Sequence, residues 1–249
     1  MTRPMHLLSI ISILATAASL LGNHAGPVAY TPGSTGYDIS YPQCGGNLPA
    51  GTFGIVGVNG GYPFVHYNPC LAAEYAHSPN AALYMNTGYD PLYAQVGDHY
   101  TTKGCSAKSA LIRGSAEQKS AWAVGCSEAS RSMAYATSQG ITKPSSWWLD
   151  VETENSWSST DLSLNQYTIQ GIVNTLHRSS RAAVGIYSTG YQWQKITGGL
   201  PVSGVRANWV ATGNPSAADA PSHCGTGFSG APVWFVQYLQ GGFDTNYVC

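Results

Sequence analysis

Short apolar runs that end in small polar residues recur along the chain, and two longer stretches carry the helical spacing instead. Alternation and β-branched or aromatic content predict strands at Gly36–Ser40, Phe53–Asn59, Ala81–Thr87, Trp147–Glu152, Ala183–Ser188, Ala207–Thr212 and Val233–Tyr238, with a last one near Phe243–Val248. Ala116–Gln139 places Trp122, Cys126, Ala129, Met133 and Ala136 at helical spacing, with Ser115 and Gln118 as a capping box and Gly140 as the stop. Leu164–Arg178 repeats the pattern, with Ser163 and Gln166 as its box and an Ile169/Ile172/Val173/Leu176 stripe. A weaker helix covers Pro69–His77. Strands alternating with helices imply parallel pairing and an α/β fold. The later connections are too short for full helices, so the second half is expected to be mainly β.

The fourth of these strands carries the chemistry. Strand side chains alternate faces, so Trp147, Leu149 and Val151 share one face while Trp148, Asp150 and Glu152 share the other. Asp150 and Glu152 then stand about 6–7 Å apart along the chain, at ~3.3 Å per residue. Carboxylates are rarely buried without a task or a partner. Glycoside hydrolases need such a pair, one protonated and one ionised, roughly 5–10 Å apart. The bland alternative is a capped strand end or a salt bridge, yet only 11 Lys+Arg are available as partners. In a closed barrel the strand C-terminal ends converge on one mouth. Asp38 on the first strand, Asp150 and Glu152 on the fourth and Asp244 on the last are then four of only 12 acids gathered there. Crowded like charges raise at least one pKa, which is how a glutamic acid stays protonated near neutral pH.

Composition narrows the setting. Residues 1–29 carry Arg3, an apolar stretch from Leu7 to Leu21 and then a small, polar segment, the layout of a secretory signal peptide too short for a comfortable membrane span. The rest, residues 30–249, fits one large domain, expected to be secreted, monomeric and without a membrane span after processing. Charged residues are only 9% with net charge −1, so no basic face exists for nucleic acid. Six cysteines downstream of the signal agree with an oxidising compartment. No CxxC pair and no zinc-finger spacing to a histidine occurs, so neither a metal site nor any cofactor is expected. About 15 pairings are possible; the local choice is Cys44–Cys70, Cys105–Cys126 and Cys224–Cys249. Gly227-Phe228-Ser229-Gly230 lacks the glycine spacing of a nucleophile elbow, and the histidines show no HExxH. Sixteen Tyr, seven Trp and many hydroxyl and amide side chains suit a sugar-binding surface. Tyr187, Trp209, Gln237 and Tyr238 could line such a cleft; core packing is the alternative for Trp209 and Tyr238. Glu154 is assigned to the rim, and Trp157 beside it to a lid or to packing.

Gly36-Tyr37-Asp38-Ile39-Ser40 resembles the opening of the glycoside hydrolase family 25 muramidases. So do Trp148-Leu149-Asp150-Val151-Glu152, Gly185-Ile186-Tyr187-Ser188, Asn208-Trp209-Val210-Ala211 and Val233–Tyr238, while Phe243-Asp244-Thr245-Asn246 looks like that family's closing aspartate segment. The resemblance implies a single modified TIM-type barrel of five β/α units followed by three strands, here stapled by disulfides. It also implies cleavage of the β-1,4 bond after N-acetylmuramic acid in peptidoglycan. By position Glu152 would be the proton donor, Asp150 would steer the N-acetyl group or stabilise the oxocarbenium-like centre, and Asp38 and Asp244 would set the field. Two segments depart from the family. Asn59-Gly60-Gly61 stands where an acidic residue and Gly are usual, and Tyr84-Met85-Asn86 replaces an aromatic–His–aromatic run. Asn59, Tyr84 and Asn86 are thus further substrate-binding candidates. The insertion Gly88–Ser115 and the cysteines are also unlike the plain catalytic module. Two alternatives stand beside the hydrolase: a glycan-binding or wall-associated barrel without catalysis, and a chitinase-type enzyme. The latter is disfavoured by Trp148 and Ser146 where further acids would be needed.

Overall fold

The computed structural model describes residues 30–59, 66–89, 101–213 and 216–249, and the signal-like segment 1–29 lies outside them. Eight strands close into a barrel in chain order: β1 Thr35–Ile39, β2 Gly54–Gly57, β3 Ala82–Asn86, β4 Ser146–Asp150, β5 Ala183–Ser188, β6 Ala207–Ala211, β7 Val233–Gln240 and β8 Phe243–Val248. Strands β1 to β7 pair in parallel, and β8 runs antiparallel to both β7 and β1, closing the ring. Closure leaves no unpaired edge.

Every strand predicted from the alternation is present, with ends shifted by at most three residues. Two predicted strand tails, Val58–Asn59 and Val151–Glu152, fall beyond the ends of β2 and β4, although Val58 N and Val151 N still donate to Tyr84 O and Tyr187 O at 2.8 and 2.9 Å. The alternation holds across the wall. Ile55, Ala82, Trp148, Ala207, Trp209, Phe235 and Val248 cluster inside the barrel. Ile39, Val56, Leu83, Trp147, Leu149, Val151 and Ile186 pack outward against Ile169, Ile172 and Val173 of a helix. Gly185 is the register partner of Trp148, and a Cβ there would meet the indole at 2.2 Å; only glycine lets that ring fill the interior. Tyr30 closes the floor. Its ring packs edge-on against Phe53 and Phe235, and its hydroxyl lies 2.6 Å from Ser145 Oγ and 3.2 Å from Ser146 Oγ.

The helices are α1 Leu71–His77, α2 Lys103–Ser109, α3 Ala116–Ser138, α4 Leu162–Ser179 and α5 Gly190–Thr197. The Ser115–Gln118 capping box of α3 is present. That of α4 is not as expected: Asp161 is the N-cap, accepting from Ser163 N at 3.0 Å, while Gln166 donates instead to Pro201 O. A carboxylate two residues back reaches the free N–H groups first, so the helix starts earlier. Helix α5 corrects the expectation of a mainly β second half. Its eight residues are too few to show a periodic stripe, but a Thr189–Gln192 capping box and a left-handed Gly198 delimit it. Helix α2 occupies part of the insertion, whose residues 90–100 lie outside the described ones. The connection from β1 to β2 holds only a 3-10 turn at Tyr41–Gln43, which shortens the first β/α unit.

Three disulfides join cysteines nearest in sequence. Cys44–Cys70 ties the loop after β1 to the N-cap of α1, Cys105–Cys126 pins α2 onto α3, and Cys224–Cys249 fastens the C-terminus. Loops of 21–26 residues correspond to roughly 3 kcal/mol each in the chain-entropy picture. Among the described residues no helix is long and apolar enough to cross a membrane.

Candidate active site

The parallel strands all end at one mouth, and β8 begins there because it runs the other way. Asp38 and Asp244 are therefore register partners on neighbouring strands although they lie near opposite ends of the chain. Asp150 ends β4, opposite Asn86 on one side and Tyr187 on the other. Glu152 follows in the exit turn. Four hydrogen bonds fix that turn. Thr87 Oγ1 and Asn155 Nδ2 donate to Asp150 O at 2.6 and 3.2 Å, Ser188 Oγ to Val151 O at 2.7 Å, and Trp157 Nε1 to Glu152 O at 2.7 Å. Trp157 thus braces the turn.

One cavity of about 160 Å³ is lined by Asp38, Tyr84, Asp150, Glu152, Tyr187, Trp209, Gln237 and Asp244. The structure brings together all four acids and four of the seven expected substrate-binding side chains. The other three have different placements. Tyr238 is buried on the outward face of β7 with Ala220, Val233 and Val236, since adjacent strand residues cannot both point inward. Asn59 is buried and both ends of its amide bond backbone: Nδ2 donates to Asn86 O at 3.1 Å and Oδ1 accepts from Asn86 N at 2.8 Å. It acts as a strand-like clamp that extends β2 against β3. Asn86 itself points inward with Tyr84 but does not line the cavity. Glu154 is exposed at the rim, accepting from Gln192 Nε2 at 3.3 Å.

A polar network lies beneath the acids. Gln237 Nε2 donates to both oxygens of Asp38 at 3.2 and 3.1 Å, and Asn246 Nδ2 donates to Asp38 Oδ2 at 2.7 Å. Trp209 Nε1 donates to Asn246 Oδ1 at 2.7 Å, and Tyr187 Oη donates to Gln237 Oε1 at 2.7 Å. Asn246 is the residue that reading the sequence missed. Its signal was available, because it sits two after Asp244 and must share that residue's inward face.

The electrostatics follow from crowding acids in a low-dielectric pocket. Burial, then the Asp244 charge, pushes Asp38 up to about 8 against the pull of its amide donors. Burial, then Glu152, Asp38 and Glu154, raises Asp150. Burial raises Glu152, with a hydrogen bond from Tyr187 opposing and Glu154 and Asp244 adding to the rise. Burial raises Asp244. The cluster therefore holds protons near neutral pH, which is the requirement for general acid catalysis. Asp150 Oδ1 is buried and has no hydrogen-bond partner among the described residues, so it presents an unspent acceptor. Tyr84, Tyr187 and Trp209 supply aromatic walls, the latter two in edge contact at 4.5 Å between ring centres. Among the described residues no cluster of His, Cys, Asp and Glu is arranged to hold a metal ion.

The family model described as "Lysozyme-like protein 1" matches residues 117–222, less than half of the chain but including Asp150, Glu152, Tyr187 and Trp209. No curated protein matches the chain in sequence. Among solved structures, the family GH25 lysozyme from Aspergillus fumigatus is similar with a TM-score of 0.56 and 14% identity, over 87% of this chain and 93% of that one. The muramidase from Trichobolus zukalii gives 0.51 and 15%, over 87% and 93%. The modular autolysin LytC from Streptococcus pneumoniae gives 0.54 and 14%, over 86% of this chain and 46% of its own length. At such identities the likeness is one of fold: the chain has the barrel fold of the glycoside hydrolase family 25 muramidases.

Proposed function

We propose that the protein is a secreted glycoside hydrolase that cleaves the β-1,4 bond between N-acetylmuramic acid and N-acetylglucosamine in peptidoglycan, or the same bond in a related amino-sugar glycan. One observation carries this reading. Four of only 12 acids, drawn from β1, the β4 exit and β8, line a single aromatic-walled cavity at the barrel mouth. Solubility charges have no reason to converge, because each buried carboxylate raises the cost of the next.

The roles follow from each environment. Glu152, whose proton affinity is raised by burial and its acidic neighbours, donates its proton to the leaving oxygen of the glycosidic bond. Asp150 faces the developing oxocarbenium-like centre or takes the substrate N-acetyl N–H on its unpartnered Oδ1. Asp38 and Asp244 deepen the negative field that favours positive charge at the reacting carbon. Tyr84, Tyr187 and Trp209 confine the sugar ring. The signal-like N-terminus and three disulfides support export. The similar LytC autolysin has been solved in complex with a synthetic peptidoglycan ligand.

Purified secreted protein incubated with peptidoglycan should release reducing ends and muropeptides whose masses place the cut after N-acetylmuramic acid. Glycan retention without any fragment, on wild-type protein, would instead establish the non-catalytic binding barrel.

A further inference from the structure

Two amides hold the carboxyl of Asp38, and each is itself held in a different way. Asn246 Nδ2 donates to Asp38 Oδ2 at 2.7 Å, while Gln237 Nε2 spans both oxygens, at 3.2 Å to Oδ1 and 3.1 Å to Oδ2. Behind Asn246 stands the Trp209 indole, whose Nε1 lies 2.7 Å from Asn246 Oδ1. An indole N–H can only donate. The Asn246 amide therefore cannot turn over without setting its own N–H groups against the indole, and both side chains are buried, with no water to relieve the clash. Behind Gln237 stands the Tyr187 hydroxyl, 2.7 Å from Oε1. A phenol can donate or accept, so Gln237 keeps a partner whichever way it turns. One amide is locked and the other is not.

We infer that Trp209 and Asn246 are positioning residues that reserve Asp38 Oδ2 as an acceptor and leave Oδ1 as the oxygen that carries the Asp38 proton or meets a sugar hydroxyl. Oδ2 faces the locked N–H of Asn246, so a proton there would set donor against donor. A proton on Oδ1 finds an acceptor, because Gln237 can present Oε1 to it and give its N–H to the Tyr187 oxygen. When Asp38 is ionised its carboxylate offers about four lone-pair sites. The amide contacts occupy two on Oδ2 and one on Oδ1, so the site left over is again on Oδ1. Both states are within reach of a titration, since burial and Asp244 push Asp38 up to about 8 against these amides. The other titratable groups around it are Asp150 and Glu152 from the β4 end, Tyr84 from β3 and Tyr187 from β5. Only the sugar hydroxyl rests on the hydrolase reading; the place of the proton does not.

The test is an NMR titration of the secreted protein, not an assay of turnover. The chain has seven aspartates, so 13C-labelled aspartate carboxyls can be followed individually against pH, with Asp38 identified by its loss in Asp38→Asn. The Asn246 side-chain amide, identified through its nearness to the Trp209 indole proton, should keep its hydrogen-bonded position on both sides of the Asp38 midpoint. A return to the free-amide position as Asp38 takes up its proton would put that proton on Oδ2 and overturn the inference. Trp209→Phe keeps an aromatic wall but lets Asn246 turn and accept a proton on Oδ2, so the proton affinity of Asp38 should rise by about threefold to tenfold. In an Asn246→Leu background no amide is left to turn, and the same substitution should change it by less than about twofold. An equal rise in both backgrounds would make the indole effect one of packing or polarity, and that result overturns the lock. So does an Asp38 titration that ignores Trp209→Phe. Should Asn246→Leu not fold, the amide position in wild-type protein decides by itself. Absence of muropeptide release with the amide and carboxyl titrations as expected would defeat the hydrolase reading and leave the lock standing.

Discussion

Neutralising Asp244 should stabilise this protein at alkaline pH and leave it nearly unchanged in acid. Asp38 and Asp244 face each other across adjacent strands, and burial raises both. In the unfolded chain an aspartate titrates near 3.9, whereas folded Asp38 is pushed up to about 8. Between those limits the native state holds a proton that the unfolded chain has released, so stability falls as pH rises and the loss is complete above the folded value. At ~1.4 kcal/mol per pH unit, a gap of about four units sets a ceiling of about 5–6 kcal/mol on the Asp38 contribution. The acids share protons, so the loss expected between about pH 4.5 and 8 is smaller, about 2–4 kcal/mol. Asp150, Glu152 and Asp244 push in the same direction. Asp244→Asn removes the second-largest cause of the Asp38 rise and should recover about 1–2 kcal/mol at about pH 8. Urea unfolding with the disulfides intact, at several pH values, measures this directly. Stability that climbs from pH 4.5 to 8, or an Asp244→Asn variant weakened equally at both ends, refutes the reasoning.

Other expectations follow from single features of the site and the floor. Glu152→Gln keeps its shape but has no proton to deliver, so turnover on peptidoglycan should fall about 10²–10⁴-fold; Asp150→Asn should be comparably severe. Glu154→Gln at the exposed rim should cost less than about tenfold, and a dead Glu154→Gln beside a near-normal Glu152→Gln would assign the donor to the wrong acid. Tyr30→Ala opens the barrel floor and should cost about 3–5 kcal/mol, while Tyr30→Phe loses only its serine contacts, at about 1 kcal/mol; denaturation curves that do not separate the two would deny Tyr30 its sealing role. Non-reducing peptide mapping should recover Cys224 joined to Cys249, and a link from Cys249 to Cys44 would contradict the fold's closure.

Much of the wall and of the acid cluster was legible in the chain itself. The period of two placed Trp148 and Asp150 on the inner face and Leu149 on the outer, and it set Glu152 over the same mouth. Capping chemistry placed the start of α3, and nearest-neighbour cysteines paired as their short loops favour. These features depend on residues a few positions apart, whose geometry the backbone fixes. Alternation also carried information that the sequence reading did not use: it forbade Gln237 and Tyr238 from sharing the cleft, and it put Asn246 beside Asp244.

The partners of the polar groups belong to another level. That Asp38 meets Gln237 and Asn246, 199 and 208 residues away, follows from an antiparallel eighth strand sealing the ring in one register. That Asn59 clamps Asn86 and that Tyr30 plugs the floor both depend on which elements come to lie side by side. A buried polar atom must find a partner wherever the fold brings one. Residue types and spacing therefore determined which groups could do chemistry here, while strand order and register decided which of them touch and which way their protons point.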